Sequence, residues 1–302
     1  MQLSAAMQAF VSLSSEFSVQ SDVIEAEREA YLRMARVFTP ERSARSVEID
    51  HKTGSGRSLR FYRPKCTMPD PGWPTVFYLH GGGWMVGNLD SHAFVCRALS
   101  LALNAQVVAL DYRLAPEHPY PAALADVLEG WQFLVTHASV DNRSLIVAGD
   151  SAGGNLAAAL CLALRDKAQT MPCGQALIYP LLGAGETVSR RVHAKAPLLS
   201  ATEVTRCIDA YLPCGQHNQP LALPLSASDL AALPPSFVTV AQYDPLHDDG
   251  VIYADRLLKA GCDVELYEAE GWLHGGLRAM SSEETQAVMT SLQRWIQRRW
   301  NI

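Results

Sequence analysis

The chain has 302 residues, 48% of them hydrophobic, enough for one large α/β domain or two smaller ones with a substantial core. A formal net charge of -6, with no basic run longer than Arg298-Arg299, excludes the phosphate-neutralising surface that nucleic-acid binding needs. No stretch approaches the ~18 consecutive apolar residues of a membrane span, and Met1 to Gln20 has no Lys or Arg and carries Glu16, which argues against a secretory leader.

Residues 1 to about 45 read as helical, with Ser21-Asp22 placed to cap the pattern from Val23 to Leu32. Ser46 to Asp50 and Ser58 to Arg63 alternate in polarity around Thr53-Gly54-Ser55-Gly56, which predicts an antiparallel hairpin at a sheet edge. After a proline-rich link from Pro64 to Pro74, strand candidates at Thr75 to Leu79, Gln106 to Leu110, Leu145 to Ala148 and Ala176 to Tyr179 alternate with helical patterns near 92 to 103, 121 to 137 and 152 to 167. That rhythm implies right-handed crossovers and a mainly parallel sheet. It breaks from about Leu181 to Pro235, where Gly, Pro and polar residues surround one helical pattern from Thr202 to Leu212. An insertion of that length is more often a lid or binding element than a loose loop. The sheet resumes at Phe237 to Ala241, followed by a helix from Gly250 to Ala260, a strand from Asp263 to Tyr267 and a final helix near Glu283 to Arg299. The seven cysteines, Cys66, Cys96, Cys161, Cys173, Cys207, Cys214 and Cys262, are scattered and form no C-x-x-C. Reduced thiols in the cytoplasm are therefore expected, rather than a disulfide framework or a zinc site.

Chemistry concentrates in a few short stretches. Gly149-Asp150-Ser151-Ala152-Gly153 reads G-x-S-x-G, between the strand candidate Ser144 to Ala148 and the helical run from Asn155 to Arg165. In that setting a serine occupies a sharp strand-to-helix turn with its hydroxyl exposed at the end of a sheet. His80-Gly81-Gly82-Gly83-Trp84 follows another strand candidate, and three glycines can turn N–H groups toward a developing oxyanion. A phosphate-cradling loop would want a Lys after its glycines, where Trp84-Met85-Val86 stands instead. His80 is read as structural. A serine nucleophile needs a base, and the base needs an orienting acid. His51, His80, His92, His118 and His137 precede Ser151, whereas the order on an α/β-hydrolase sheet is Ser, acid, His. His193 and His217 fall in the insertion and His247 is too close to the acid candidate, leaving His274, in a glycine-flanked loop between the last strand and last helix, as the candidate base. Asp244, directly after Phe237 to Ala241 and before Pro245, is the preferred acid, with Asp248 and Asp249 as helix caps and Asp150 aimed away from the base.

The ordered set of His80 to Trp84, Asp111 to Glu117 leading to Pro121-Ala122-Ala123, Gly149 to Gly154 and Asp244-Pro245-Leu246 resembles the hormone-sensitive-lipase-like family of α/β-hydrolase carboxylesterases. The resemblance spans roughly residues 45 to 300. It implies an α/β-hydrolase fold with a mostly parallel eight-stranded sheet and a helical cap. The cap would be built from residues 1–45 and an insertion at about 181–225, and the catalytic domain from residues 46–302. It further implies hydrolysis of short-chain acyl esters, with Ser151 as nucleophile, Asp244 as acid and His274 as base. The N–H groups of Ala152 and of two among Gly81, Gly82 and Gly83 would receive the oxyanion. The chain departs from the family pattern at His247 and Asp249, where Arg and Glu are usual, and at Gly276, where Phe is usual.

The expected mechanism is two-step acyl transfer through an acyl-enzyme, calling for no metal or organic cofactor. Trp84 is expected in the substrate pocket, its bulk favouring short acyl chains. The expected partner is a small-molecule ester, with no membrane insertion, and the strand Asp263 to Tyr267 offers an edge for homodimer pairing. Two other readings stand beside esterase: an amidase or deacetylase of acylated metabolites, and a non-hydrolysing binder of the same fold. Such binders generally lack the base, which His274 supplies here.

Overall fold

A computed structural model describes residues 1–19, 23–213, 215 and 217–301. The Ser21-Asp22 cap expected from the sequence lies outside them. The first 45 residues form two helices, α1 (Ala5–Ser15) and α2 (Ile24–Phe38). Ser4 caps α1 by accepting from the Met7 amide. Glu25 and Glu27 in the first turn of α2 and Arg36 in its last complement the helix dipole.

The hairpin β1 (Ser46–Lys52) and β2 (Ser58–Pro64) leads into β3 (Trp73–Leu79), α3 (Ala93–Leu103), β4 (Gln106–Leu110), α4 (Ala122–Thr136), β5 (Val140–Asp150), α5 (Ala152–Asp166) and β6 (Gly174–Ile178). After the insertion come β7 (Ser236–Tyr243), α8 (His247–Lys259), β8 (Val264–Leu273) and α9 (Glu283–Trp300). The insertion itself holds α6 (Val188–Val192) and α7 (Ala201–Tyr211), the latter opened by a capping box between Ser200 and Glu203. Three boundaries differ from expectation. β5 begins at Val140 because its polar first half, through Ser144, pairs only at its start, where Val140 stands opposite Trp73. β8 runs on to Leu273 and so delivers His274 directly from a strand end. α8 starts at His247, with Leu246 as its cap, so Asp248 and Asp249 are first-turn residues rather than caps.

The eight strands lie in the order β1-β2-β4-β3-β5-β6-β7-β8. β1 and β2 pair antiparallel, as do β2 and β4, while every pair from β4 through β3 to β8 is parallel. Parallel strands covered on both faces become uniformly apolar, and β4 and β6 are buried at every residue. One core lies under α4, α5 and α8, where Trp131, Leu156, Tyr253 and Leu257 meet. The other lies under α1, α3 and α9, where Phe10, Phe94, Leu99, Val288 and Leu292 meet. Among the described residues no helix is long and apolar enough to cross a membrane. After β3 the chain winds to β4 on one side, then returns to place β5 on the other, so the sheet reverses between β3 and β5. The crevice at the carboxyl ends of strands around such a reversal is where an open α/β sheet receives its ligand.

Candidate active site

Both sides of that reversal carry the residues singled out in the sequence. β5 ends at Asp150 and α5 begins at Ala152, which leaves Ser151 alone to make the turn at φ 54° and ψ −118°. For a residue with a side chain this conformation costs about 1–3 kcal/mol, a strain held in place by the surroundings. The Ser151 amide donates to Ile178 O at 2.9 Å, and its carbonyl accepts from the Asn155 amide at 3.0 Å. Gly153 is glycine for want of space: a Cβ there would sit 2.0 Å from Leu79 O. The same turn makes a Cβ on Gly149 collide with the Gly153 backbone at 2.4 Å.

The structure brings Ser151, Asp244 and His274 together. His274 Nε2 is 2.9 Å from Ser151 Oγ, and His274 Nδ1 is 2.7 Å from Asp244 Oδ2. Asp244 is wholly buried, and its other oxygen accepts from the Leu246 amide at 2.7 Å. With both carboxylate oxygens engaged, the acid is fixed and holds the proton on Nδ1, leaving Nε2 to accept from the serine. The Tyr179 ring packs beside the imidazole, 4.6 Å between centroids. His247 instead faces Asp248 and Glu268 on the surface.

The glycine loop lies across from the serine. Gly82 and Gly83 line the cavity with Ser151, and Gly82 has φ 118°, a conformation open to glycine. The amides of Gly82, Gly83 and Ala152 donate to no protein acceptor among the described residues. Gly81 departs from expectation, because its amide donates to Asp150 Oδ1 at 3.0 Å and is not available to a substrate. Trp84 departs as well: it is wholly buried, stacks on Tyr211 at 4.1 Å and 4°, and is absent from the cavity wall. Its indole fastens the glycine loop to α7 instead of meeting substrate. His80 is structural, as read. Burial pushes its imidazole down to about 3, its ring stacks on Tyr112 at 4.2 Å, and Nδ1 lies 2.8 Å from Gly81 O.

Asp150, aimed away from the base, has a role the sequence does not reveal. Its carboxylate accepts from Tyr78 Oη at 2.8 Å and from Gly81, and lies 3.4 Å from His92 Nε2. Burial alone would raise this acid, yet hydrogen bonds from His92 and the Tyr78 hydroxyl and the charge of Arg278 outweigh it and hold Asp150 below the usual carboxylate range. The residue beside the serine thus anchors the loop opposite. Asp249, expected as a cap, is a brace: it accepts from the Leu182 and Gly183 amides at 2.9 Å each and pairs with Arg190 at 3.1 Å.

The site opens into a cavity of about 430 Å³. Its walls come from α1 and α2, from Leu198 to Cys207 and from the glycine loop, with Ser151 and His274 at the base. Arg28 on α2 donates to Met85 O at 2.9 Å and Ala115 O at 3.1 Å, and makes two bonds to Glu117.

The family model of the α/β-hydrolase fold matches residues 76–278. Esterase LipI of Mycobacterium tuberculosis is 36% identical over 285 residues, covering 90% of this chain and 88% of its own. An ethyl acetate hydrolase of Pseudomonas putida is 35% identical over 238 residues, covering 77% of this chain and 75% of its own. Among solved structures, an ester hydrolase from the metagenome of Lake Arreo, held with a bipyridine phosphonate derivative, superposes with a TM-score of 0.90 at 30% identity, covering 100% of both chains. A hyperthermophilic esterase from the archaeon Pyrobaculum calidifontis gives 0.89 at 32% identity, covering 98% of each. Fold and relatives together define a carboxylesterase-type hydrolase acting on small-molecule esters. Within that class, the chain belongs to the hormone-sensitive-lipase-like family of α/β hydrolases.

Proposed function

We propose that the protein hydrolyses short-chain acyl esters through Ser151, His274 and Asp244. What supports this above all is the unbroken line of two hydrogen bonds, 2.9 Å from Ser151 Oγ to His274 Nε2 and 2.7 Å from His274 Nδ1 to Asp244 Oδ2, at the base of the cavity. His274 takes the serine proton as Oγ attacks the ester carbonyl. The oxyanion is received by the free amides of Gly82, Gly83 and Ala152, beside a largely buried Ser151 and His274, where such dipoles act strongly. His274 then gives the proton to the departing alcohol. Water, activated by the same imidazole, releases the acid from the acyl-enzyme.

The walls support the acyl preference. A space of about 430 Å³ shared with several aromatic rings suits a small ester, near the lower end of ligand pockets. The ethyl acetate hydrolase among the relatives agrees in scale. In this reading α1, α2 and the insertion form a cap over the sheet. The outer edge of β8, last in the strand order, is the surface where two chains would pair.

An organophosphate should label Ser151 stoichiometrically and block turnover. Ser151→Ala should lose turnover entirely, and Asp244→Asn should lower kcat by about 10⁴ with the fold intact, because the wrong imidazole tautomer is then held. Ser151→Ala protein working at wild-type rate would sink the assignment. A matched p-nitrophenyl ester and anilide pair separates esterase from amidase.

A further inference from the structure

One end of the cavity is unused by the chemistry above. Arg278, four residues beyond His274, is 6% exposed and lines the cavity beside Tyr31, His92 and Phe94. Its guanidinium carbon lies 5.0 Å from the Tyr31 ring centre and 4.9 Å from that of Phe94. Nη1 donates to Ser91 O at 2.7 Å, and Nη2 donates to Tyr31 Oη at 2.7 Å and approaches His92 Nε2 at 3.5 Å. A guanidinium carries five N–H groups in a fixed fork. These contacts occupy three, so Nε–H and one N–H of Nη1 have no protein acceptor among the described residues. These donors belong to a side chain that is only 6% exposed and lines the cavity, so a ligand oxygen there would supply the acceptor they lack.

The charge balance says which acceptor. Among the described residues Arg278 meets no carboxylate directly; its counter-charge is Asp150, reached across His92, whose Nε2 lies 3.4 Å from Asp150 Oδ2. Burial drives the His92 imidazole down, so it is neutral between them. Arg278 and Asp150 cancel, and elsewhere on the wall Glu27 and Glu203 exceed Arg206 by one negative charge. A second anion would leave the cavity with an uncompensated buried charge, whereas a neutral oxygen would satisfy the open donors at no such cost.

We propose that Arg278 forms an oxygen-binding subsite that takes a neutral carbonyl or ether oxygen of the substrate, selecting oxygenated esters over alkyl esters of equal length. This rests on the esterase reading of the same cavity, and the experiment keeps the two apart. The full chain is assayed on p-nitrophenyl pentanoate against p-nitrophenyl 4-oxopentanoate, and on butyl acetate against 2-methoxyethyl acetate. The first pair places the oxygen on the acyl side and the second on the alcohol side. In one pair kcat/KM should favour the oxygenated ester by about tenfold, the scale of one charge-assisted hydrogen bond. The half-ester p-nitrophenyl hydrogen glutarate should do no better than pentanoate. In Arg278→Met the favoured ratio should fall to about one. The ratio is insensitive to partial loss of folded enzyme, and Arg278→Lys, which displaces the donors but keeps the charge, carries the same comparison if the Met variant does not fold. Ratios near one for both pairs in the wild type, a ratio that survives in Arg278→Met, or preference for the glutarate half-ester would overturn the subsite while leaving the esterase intact. Failure to hydrolyse any of these esters would instead overturn the esterase reading, and the subsite with it.

Discussion

Asp150 occupies the position next to the proposed nucleophile, yet its side chain works on the other side of the site. By accepting from Gly81 and Tyr78 it spends one loop amide on structure and leaves Gly82 and Gly83 to face the cavity. Asp150→Asn keeps one acceptor but loses the charge that Arg278 and the Tyr78 hydroxyl face. We expect kcat to fall by about tenfold with KM nearly unchanged, since a hydrogen bond to a charged group contributes roughly 1.5–3 kcal/mol; steady-state kinetics on a single ester decides this. The trio Ser151, Asp244 and His274 was legible in the sequence because each sits in a short stretch at a strand end, where the order along the chain carries the information. Gly81, Trp84, Asp150 and Arg278 were not. Whether an amide or an indole turns toward a cavity depends on partners distant in the chain, such as Tyr211 for Trp84.

At the scale of elements, the parallel strands and their crossover helices follow from apolar runs spaced by helical patterns. α6 stayed hidden because it has five residues, two of them Arg190 and Arg191. The bracing of the insertion stayed hidden too: Asn155 on α5 donates to Leu181 O at 2.8 Å and Ala222 O at 2.9 Å, gripping both ends of it. α2 and α7 are joined to the glycine loop by Arg28 at Met85 O and by the Trp84 and Tyr211 stack. Tyr211→Ala removes a buried ring and should cost about 3–5 kcal/mol of stability, read as a lowered denaturation midpoint. Arg28→Ala, whose ion pair with Glu117 is partly exposed, should change stability by less than about 1 kcal/mol. Its effect belongs in kcat/KM, lowered several-fold as the loop loses its tether, and an unchanged kcat/KM would show that Met85 needs no such hold.

For the whole molecule, acid sensitivity has a definable source. His80 and His92 are buried and neutral, both lowered by burial, His80 to about 3. Unfolding lets them take protons near the ordinary value of about 6.5, so their contribution is complete above that and is lost as pH falls below it, for His80 down to about 3. Asp249, which burial pushes up to about 6, acts with opposite sign: its contribution is complete below the ordinary carboxylate value and is lost as pH rises through 6. The two histidines act together against the one aspartate, so stability should fall as pH drops from about 6 toward 4. Thermal unfolding of the wild type against His80→Gln measures it, the variant showing the shallower slope. Pairing of two chains along β8 would appear as a doubled mass in light scattering. The cavity also has a consequence for how such a protein changes over time. Its base stands on strand ends packed so closely that Gly153 has no room for a side chain beside Leu79, while much of its wall belongs to α1, α2 and the stretch from Leu198 to Cys207. Reaction and selection therefore reside in separable parts of the chain. Exchanging the wall segments between relatives should transfer substrate range as a module, with the turnover machinery inherited unchanged beneath it.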